Sequence, residues 1–553
     1  MFKNLRFIKG NLPRSSSKFN WKSIRRFNSI SHTKNQTSFR ASVYVVLTLS
    51  ALALYGSGDF IRLDTEQRGL IPAEEVKEHN SLEKGLWVAI NGTVYDLTEF
   101  APQHPGGLSV ILKHAGYDAS KIFDQFHSKD VIPRLLPPEK KLGTLDGTLD
   151  ELDEPLVTDE AELEERRKQK PHLCSIFNIN EFEYVAKKLL PAHAWAYYSG
   201  GSDNEVTLRE NHSAYDRIFF RPRVLVNVDD VDISTEMLGV KTDAPFYCSA
   251  AAQAKLGHPD GELSIAEGCG KENIFQMISN AASYTFDEIT NAALPNQNQW
   301  FQLYVEKDRK TSFDLIKACE EKGIKGIFVT VDSAVFGRRE KDLRFKITDV
   351  EDSEDVESNY VKDDFILSYK DIGLTWDDIG KFKRATNIPI VIKGVQRSED
   401  VLLAIEHGVD GVVLSNHGGR QLDFSRAPVE VLAEVMPILR DKKLDNKIEI
   451  FVDGGVRRGS DIIKALCLGA KGVGLGRPYL YANAGYGKYG VIKATKLLKE
   501  EVIRDMKLLG VTKIEDLSPD LVDTRKLFSG FNDRDSSEAV YERLTLPKFQ
   551  DED

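Results

Sequence analysis

From residue 176 onward, short apolar and β-branched runs alternate with longer amphipathic stretches. The runs fall at 245–250 (PFYCSA), 274–279 (IFQMIS), 299–305 (QWFQLYV) and 326–332 (GIFVTVD), then at 388–394 (IPIVIKG), 411–416 (GVVLSN), 448–455 (IEIFVDGG) and 472–477 (GVGLGR). Helical periodicity separates several of them, at 311–322, 398–408 and 460–469. Runs that are apolar on both faces read as parallel strands covered on both sides. Eight such strands joined by helical crossovers predict an α/β fold of the (β/α)8 TIM barrel type. A doubly wound sheet is the alternative, and it fits less well because no G-x-G-x-x-G follows an early strand.

The pattern before residue 176 is different. Residues 70–145 carry short strands around Trp87, Ala89 and Ile90, a hairpin signal at Asn91-Gly92, and further apolar positions at Val94, Tyr95 and Leu97. They predict a small α+β unit ahead of the barrel. Between the two, residues 146–170 hold ten acids followed by a basic cluster, which reads as a solvated hinge, with a plain exposed helix over 158–170 as the equal alternative. Residues 349–364, in the loop after the fourth barrel strand, hold eight acids and read as a solvated loop or a lid.

Charge divides the chain again. The 553 residues are 41% hydrophobic and 29% charged, enough for large cores, with a net charge of −11 that argues against nucleic acid as the partner. Residues 1–40 contribute ten Lys/Arg, seven Ser and no acid, so the remainder stands at −21. An Arg- and Ser-rich, acid-free start has the character of a mitochondrial transit peptide. The uncharged stretch 41–58 behind it is at the lower length limit for a bilayer span. A short anchor or buried helix is one reading. A bipartite signal, matrix targeting then sorting, is preferred; it leaves the mature protein in the mitochondrial intermembrane space with no stable membrane anchor. The expected division is a leader over 1–65, the small unit over 66–145, the hinge over 146–172, the barrel domain over 173–529 and a tail over 530–553. Cysteines 174, 248, 269, 319 and 467 form no C-x-x-C pair and read as free buried thiols.

Candidate chemistry collects where a barrel keeps it, at the carboxyl ends of its strands. Ser279 follows the second strand; Gln302 and Tyr304 lie on the third; Thr330 and Asp332 are at the end of the fourth; Lys393 ends the fifth. His417 and Arg420 follow the sixth, Asp453, Gly454, Gly455 and Arg457 the seventh, and Gly476 and Arg477 the eighth. Glycine turns with arginine after the last two strands are where barrels bind phosphate. In the small unit, His104 and His127 are two candidate imidazole ligands to one metal, His104 within a tight HPGG turn. His79 and His114 lack such context and read as surface residues.

DLTEFAPQHPGG, ending at Gly107, and FDQFHS around His127 resemble the cytochrome b5 family over nearly eighty residues. That likeness implies haem b held by His104 and His127 as axial ligands; it would be non-covalent, since no C-x-x-C-H is present. Two protein ligands close the iron and suit electron transfer. SNHGGRQLD (415–423), with YYSGG (197–201), QLY (302–304), TVD (330–332), KGV (393–395), DGGVRRG (453–459) and GRP (476–478), resembles the FMN-dependent 2-hydroxy acid dehydrogenase/oxidase family from 176 to about 520. The resemblance implies His417 as base, Asp332 on its other nitrogen, and Arg420 and Tyr197 on the substrate carboxylate. It implies Tyr304 on the substrate hydroxyl, Arg339 as a second cation and Lys393 beside the flavin. Ala250, Ala252, Ser279, Gln302 and Thr330 would hold the isoalloxazine, and Asp453, Gly454, Gly455, Arg457, Gly476 and Arg477 the ribityl phosphate.

With the two modules fused, the implied activity is oxidation of L-lactate, or a related L-2-hydroxy acid, with electrons leaving singly through haem to cytochrome c. A homotetramer is implied as well. An oxidase that delivers electrons to dioxygen, and a non-enzymatic haem-binding protein on a dead barrel, are the competing readings. Two positions depart from the family pattern: Ala251 stands where threonine is usual, and Asn280-Ala281 where the lactate-oxidising pattern has Thr-Leu. Ala281 predicts tolerance of longer 2-hydroxy acids.

Overall fold

The computed structural model describes residues 69–104, 107–152, 160–347 and 370–529. The leader, the acidic stretch 349–364 and the tail from 530 lie outside the described residues, as does the span 41–58. Among the described residues, no helix is long and apolar enough to cross a membrane.

The first module is a five-stranded sheet of β1 (Leu70–Pro72), β2 (Asn80–Ser81), β3 (Gly85–Ile90), β4 (Thr93–Asp96) and β5 (Lys141–Asp146), in the order β1-β5-β4-β3-β2. The Asn91-Gly92 turn joins β3 to β4 with both residues at positive φ, 50° and 74°, the twist that a two-residue hairpin needs. Side chains alternate along β3. Trp87 and Ala89 pack with Ile71, Val76 and Val94 on one face, while Val88 and Ile90 face Leu97, Phe100, Phe123 and Ile132 on the other. Helices α1 (Leu108–His114), α2 (Ser120–Phe126) and α3 (Val131–Leu135) carry the second of these clusters.

Two histidines depart from expectation here. His114 is buried, with its Nδ1 2.8 Å from the Val110 carbonyl one helical turn back. His79 is half-buried, stacked on Trp87 at 3.6 Å and hydrogen-bonded to the Glu75 carbonyl. Both satisfy a ring nitrogen on a local carbonyl, so burial costs them little. In the hinge the helix alternative holds: Glu160–Gln169 is helical.

The second module is the barrel. Its strands are β6 (Phe246–Cys248), β7 (Gln276–Ser279), β8 (Gln299–Leu303), β9 (Ile327–Thr330), β10 (Ile390–Val395), β11 (Gly411–Leu414), β12 (Glu449–Asp453) and β13 (Gly472–Leu475), all parallel and closed with β13 against β6. Their interior is filled by Tyr247, Met277, Trp300, Phe328, Val391, Val413 and Phe451, with Phe275 stacked on Trp300 at 4.1 Å. A packed interior leaves only the rim for chemistry. The strands stop up to two residues short of the apolar runs, so Asp332 and Asn416 lie in the loops beyond β9 and β11. Four cysteines are buried free thiols as expected, but Cys174 is exposed. Two further helices shape the rim: α4 (Ala192–Ser199) and the long α5 (Arg477–Leu509), which follows Gly476 and bends at Tyr486-Gly487.

Candidate functional site

The carboxyl rim of the barrel and the crevice of the first module share one cavity of ≈ 970 Å³. Every site residue expected from the sequence lines it except Asp332, which stands behind His417.

His417 is the first residue of a tight turn after β11, at φ 58°, followed by Gly418 and Gly419 at 66° and 76°. Its N–H donates to Ser415 Oγ at 3.1 Å. Its Nδ1 is 2.8 Å from Asp332 Oδ1, and because an ionised carboxylate only accepts, Nδ1 carries the proton. Nε2 therefore presents a lone pair, 3.4 Å from the Tyr304 hydroxyl. Burial, the largest influence, outweighs Asp332 and brings the His417 pKa down to about 4, so the imidazole is neutral. Burial alone would raise the Asp332 carboxyl. The Lys393 ammonium, 3.9 Å away, and His417 overcome that and hold it below the usual carboxylate range. Lys393 is also 3.8 Å from Asp453, where burial prevails over the cation and the carboxyl is raised. The same ammonium donates to Ser415 Oγ at 3.3 Å.

Arg420 is braced before any ligand arrives. Its Nη1 donates to the Tyr197 and Gly200 carbonyls at 2.7 and 2.9 Å, and its guanidinium lies over the Tyr197 ring at 4.9 Å. Arg477 spends three donors on carbonyls, those of Tyr198, Gly418 and Gly200, each at 2.9 Å. It thus ties the SNHGG turn to YYSGG, while its side chain still lines the cavity. Arg457 is 3.2 Å from Glu183. Gln302 donates to Thr330 Oγ1 at 3.0 Å and accepts from the Asn280 N–H. Arg339 is half-buried near Arg420, and desolvation first, then that cation, lowers its pKa to about 10.

These residues fit a flavin mononucleotide. Among the described residues, Asp453 Oδ1 and Arg339 Nε are buried polar atoms with no hydrogen-bond partner. Gly454 and Gly455 turn at φ 93° and 82°, and a Cβ on Gly455 would strike the Asn211 carbonyl at 1.9 Å, so that turn must stay bare backbone. The crevice of the first module fits a flat macrocycle equally well. Its walls include Val88, Ile90, Leu97, Phe100, Ile111 and Leu136, and the His104 and His127 rings lie edge-on with their centres 5.9 Å apart. Burial and then Arg134 bring His127 down to about 4, the neutral form that ligates metal. Among the described residues, no cluster of three or more His, Cys, Asp or Glu offers a separate metal site.

One cavity residue escaped the sequence reading. Lys370, six residues past the acidic stretch and in no motif, is only 4% exposed and lines the same cavity.

A family model described as FMN-dependent dehydrogenase matches residues 186–524, well over half the chain. The chain belongs to the FMN-dependent dehydrogenase family. A second model, the cytochrome b5-like heme/steroid binding domain, matches residues 72–149. The chain is 54% identical over 496 residues to the L-lactate dehydrogenase (cytochrome) of Wickerhamomyces anomalus, covering 88% of this chain and 86% of that protein. It is 48% identical over 543 residues to the enzyme of the same name from Saccharomyces cerevisiae, covering 94% and 92%. Among solved structures, a mutant flavocytochrome b2 with pyruvate bound matches with a TM-score of 0.64 and 51% identity, over 71% of this chain and 98% of that one. The protein is therefore an oxidoreductase of the FMN-dependent dehydrogenase family carrying a b5-like haem domain, with FMN and haem as its cofactors.

Proposed function

We propose that this family member oxidises L-lactate, or a close L-2-hydroxy acid, to the 2-oxo acid and delivers the electrons singly through its haem to cytochrome c. The observation that carries this reading is the shared cavity. His417 and Tyr304, with Asp332 behind His417, and the His104–His127 pair share this one space.

The substrate carboxylate would sit on Arg420, whose planar fork matches it, with Arg339 as the second cation and the Tyr197 hydroxyl as a further donor. The substrate hydroxyl then meets Tyr304 OH and His417 Nε2. A neutral imidazole with its proton fixed on Nδ1 can take up the proton the substrate loses. Asp332, held ionised by Lys393, stabilises the imidazolium so formed. Bound FMN would supply a two-electron acceptor for the substrate carbon, and bound haem a one-electron carrier. Ser279, Gln302 and Thr330, with Ala250 and Ala252, would hold the flavin ring. Asp453, Gly454, Gly455, Arg457, Gly476 and Arg477 would hold its ribityl phosphate at the amino end of α5. Lys393 would stand by the flavin edge that gains negative charge. His104 and His127 would ligate the haem iron.

The cationic leader supports mitochondrial import and release into the intermembrane space, where a carrier with a basic surface would meet an acidic partner. A homotetramer is part of the same proposal. An absorption spectrum of the purified holoenzyme, with and without L-lactate, tests the reading. Flavin bleaching followed by sharp reduced b-type bands is expected. Peroxide release without haem reduction would make the protein an oxidase, and absence of bound FMN would make it a haem-binding module only.

A further inference from the structure

Beside the residues assigned to the 2-hydroxy acid, the cavity is lined by a further basic residue, Lys370. The Lys370 ammonium lies 3.7 Å from the centre of the Tyr304 ring and 4.5 Å from that of Phe336, and Ser333 Oγ holds it at 2.7 Å. Two aromatic faces and a hydroxyl fix where this charge stands. The Tyr304 hydroxyl points at His417, so Lys370 sits one ring away from the place where the substrate carbon reacts. Holding a charge there is costly. Burial first, and then the neighbouring Arg339, lower the Lys370 pKa to about 7, against the pull of Asp332. The same cavity is also lined by the small residues Ala251 and Ala281.

Resting on the proposed activity, we infer that Lys370 selects substrates, favouring L-2-hydroxy acids that carry a second carboxylate at the far end of a four- or five-carbon chain. Arg420 takes the carboxylate next to the reacting carbon. A diacid then places its distal carboxylate against the ammonium, which the two rings and Ser333 hold in position, so the pair needs little further ordering of the side chain. A neutral side chain of equal length gains nothing there. Lys370 is a specificity residue in this scheme, and it takes no part in proton transfer.

The experiment compares flavin reduction in the full-length holoenzyme by L-lactate, L-2-hydroxybutyrate, L-malate and L-2-hydroxyglutarate, in wild type, Lys370→Met and Lys370→Arg. Loss of a charge-assisted hydrogen bond predicts that Lys370→Met lowers kcat/KM for one or both diacids by roughly 10–100-fold. The two monoacids should change by less than about threefold, and Lys370→Arg should restore the diacids. Bound flavin, read from the visible spectrum, establishes that each variant is folded and loaded. The inference is overturned if wild type leaves both diacids unoxidised while turning over lactate, or if Lys370→Met slows all four acids equally, as a purely structural lysine would. Wild type that reduces its flavin with none of the four acids overturns the underlying activity and this inference with it.

Discussion

At the residue scale the site depends on one strained histidine. His417 occupies the left-handed region, which few non-glycine residues adopt, and it is kept there by the bonds at its two ends, Ser415 Oγ on the backbone N–H and Asp332 on the ring. His417→Gln should lower kcat/KM for L-lactate by roughly 10²–10⁴-fold, the usual worth of a positioned base, with the flavin spectrum retained. The pH profile follows from the same burial. The folded protein resists protonating His417 until about pH 4, so the acid limb of kcat/KM should fall there. A limb near 6.5, the free imidazole value, would refute the buried neutral base. The linkage to stability has a definite sign: between about pH 6.5 and 4 the unfolded chain binds this proton and the folded chain does not, so His417 costs stability as pH falls through that window. Ala281 makes a second prediction. Wild type should oxidise L-2-hydroxybutyrate about as well as L-lactate, and Ala281→Leu should cut the longer acid by roughly tenfold relative to lactate, the worth of a methylene or two in an apolar pocket. Much poorer use of the longer acid by wild type would show that the missing side chain makes no room.

At the scale of elements, the two modules meet through a buried charged contact. Arg134 on α3 approaches Glu306, just past β8, with 3.8 Å between Nε and Oε1, and Glu306 is only 5% exposed. Burial raises the Glu306 carboxyl and Arg134 opposes that rise, so the carboxylate relies on the haem module for compensation. Glu306→Gln should loosen the docked arrangement. In stopped-flow, haem reduction should slow while flavin reduction by L-lactate keeps its rate; unchanged haem reduction would mean that this contact does not guide docking. No sequence pattern could have found the pair, since neither residue belongs to a motif and they come from separate modules. The barrel strands were legible for the opposite reason: burial on both faces makes each one a near-continuous apolar run. Their ends were overread because polar residues such as Asp332 and Asn416 directly continue those runs. His114 was misjudged because a histidine at a helix end reads as solvated until the packing against it is known. Nothing around Lys370 marks it, since it belongs to no motif and a lysine is rarely buried.

At the scale of the molecule, the proposed route keeps flavin and haem in one cavity, so the only electron transfer that would require diffusion is the last one. That step should respond to the charge of the whole surface. The chain carries −11 with its ten-cation, acid-free start included and −21 without it. A basic carrier is then drawn in from beyond contact distance, and salt screens that attraction over a Debye length of about 10 Å at 0.1 M. Steering of this kind acts on encounter more than on the bound complex. Raising ionic strength from about 0.01 to 0.3 M should therefore lower kcat/KM for cytochrome c by roughly tenfold or more. The rate at which L-lactate reduces the flavin should change far less, because Arg420 and Arg339 are partly buried in the cavity and salt screens partly buried charges less. Assays on the same enzyme with a neutral electron acceptor separate the two effects. A neutral acceptor showing the same salt dependence as cytochrome c would place the effect inside the enzyme and remove surface charge as its cause.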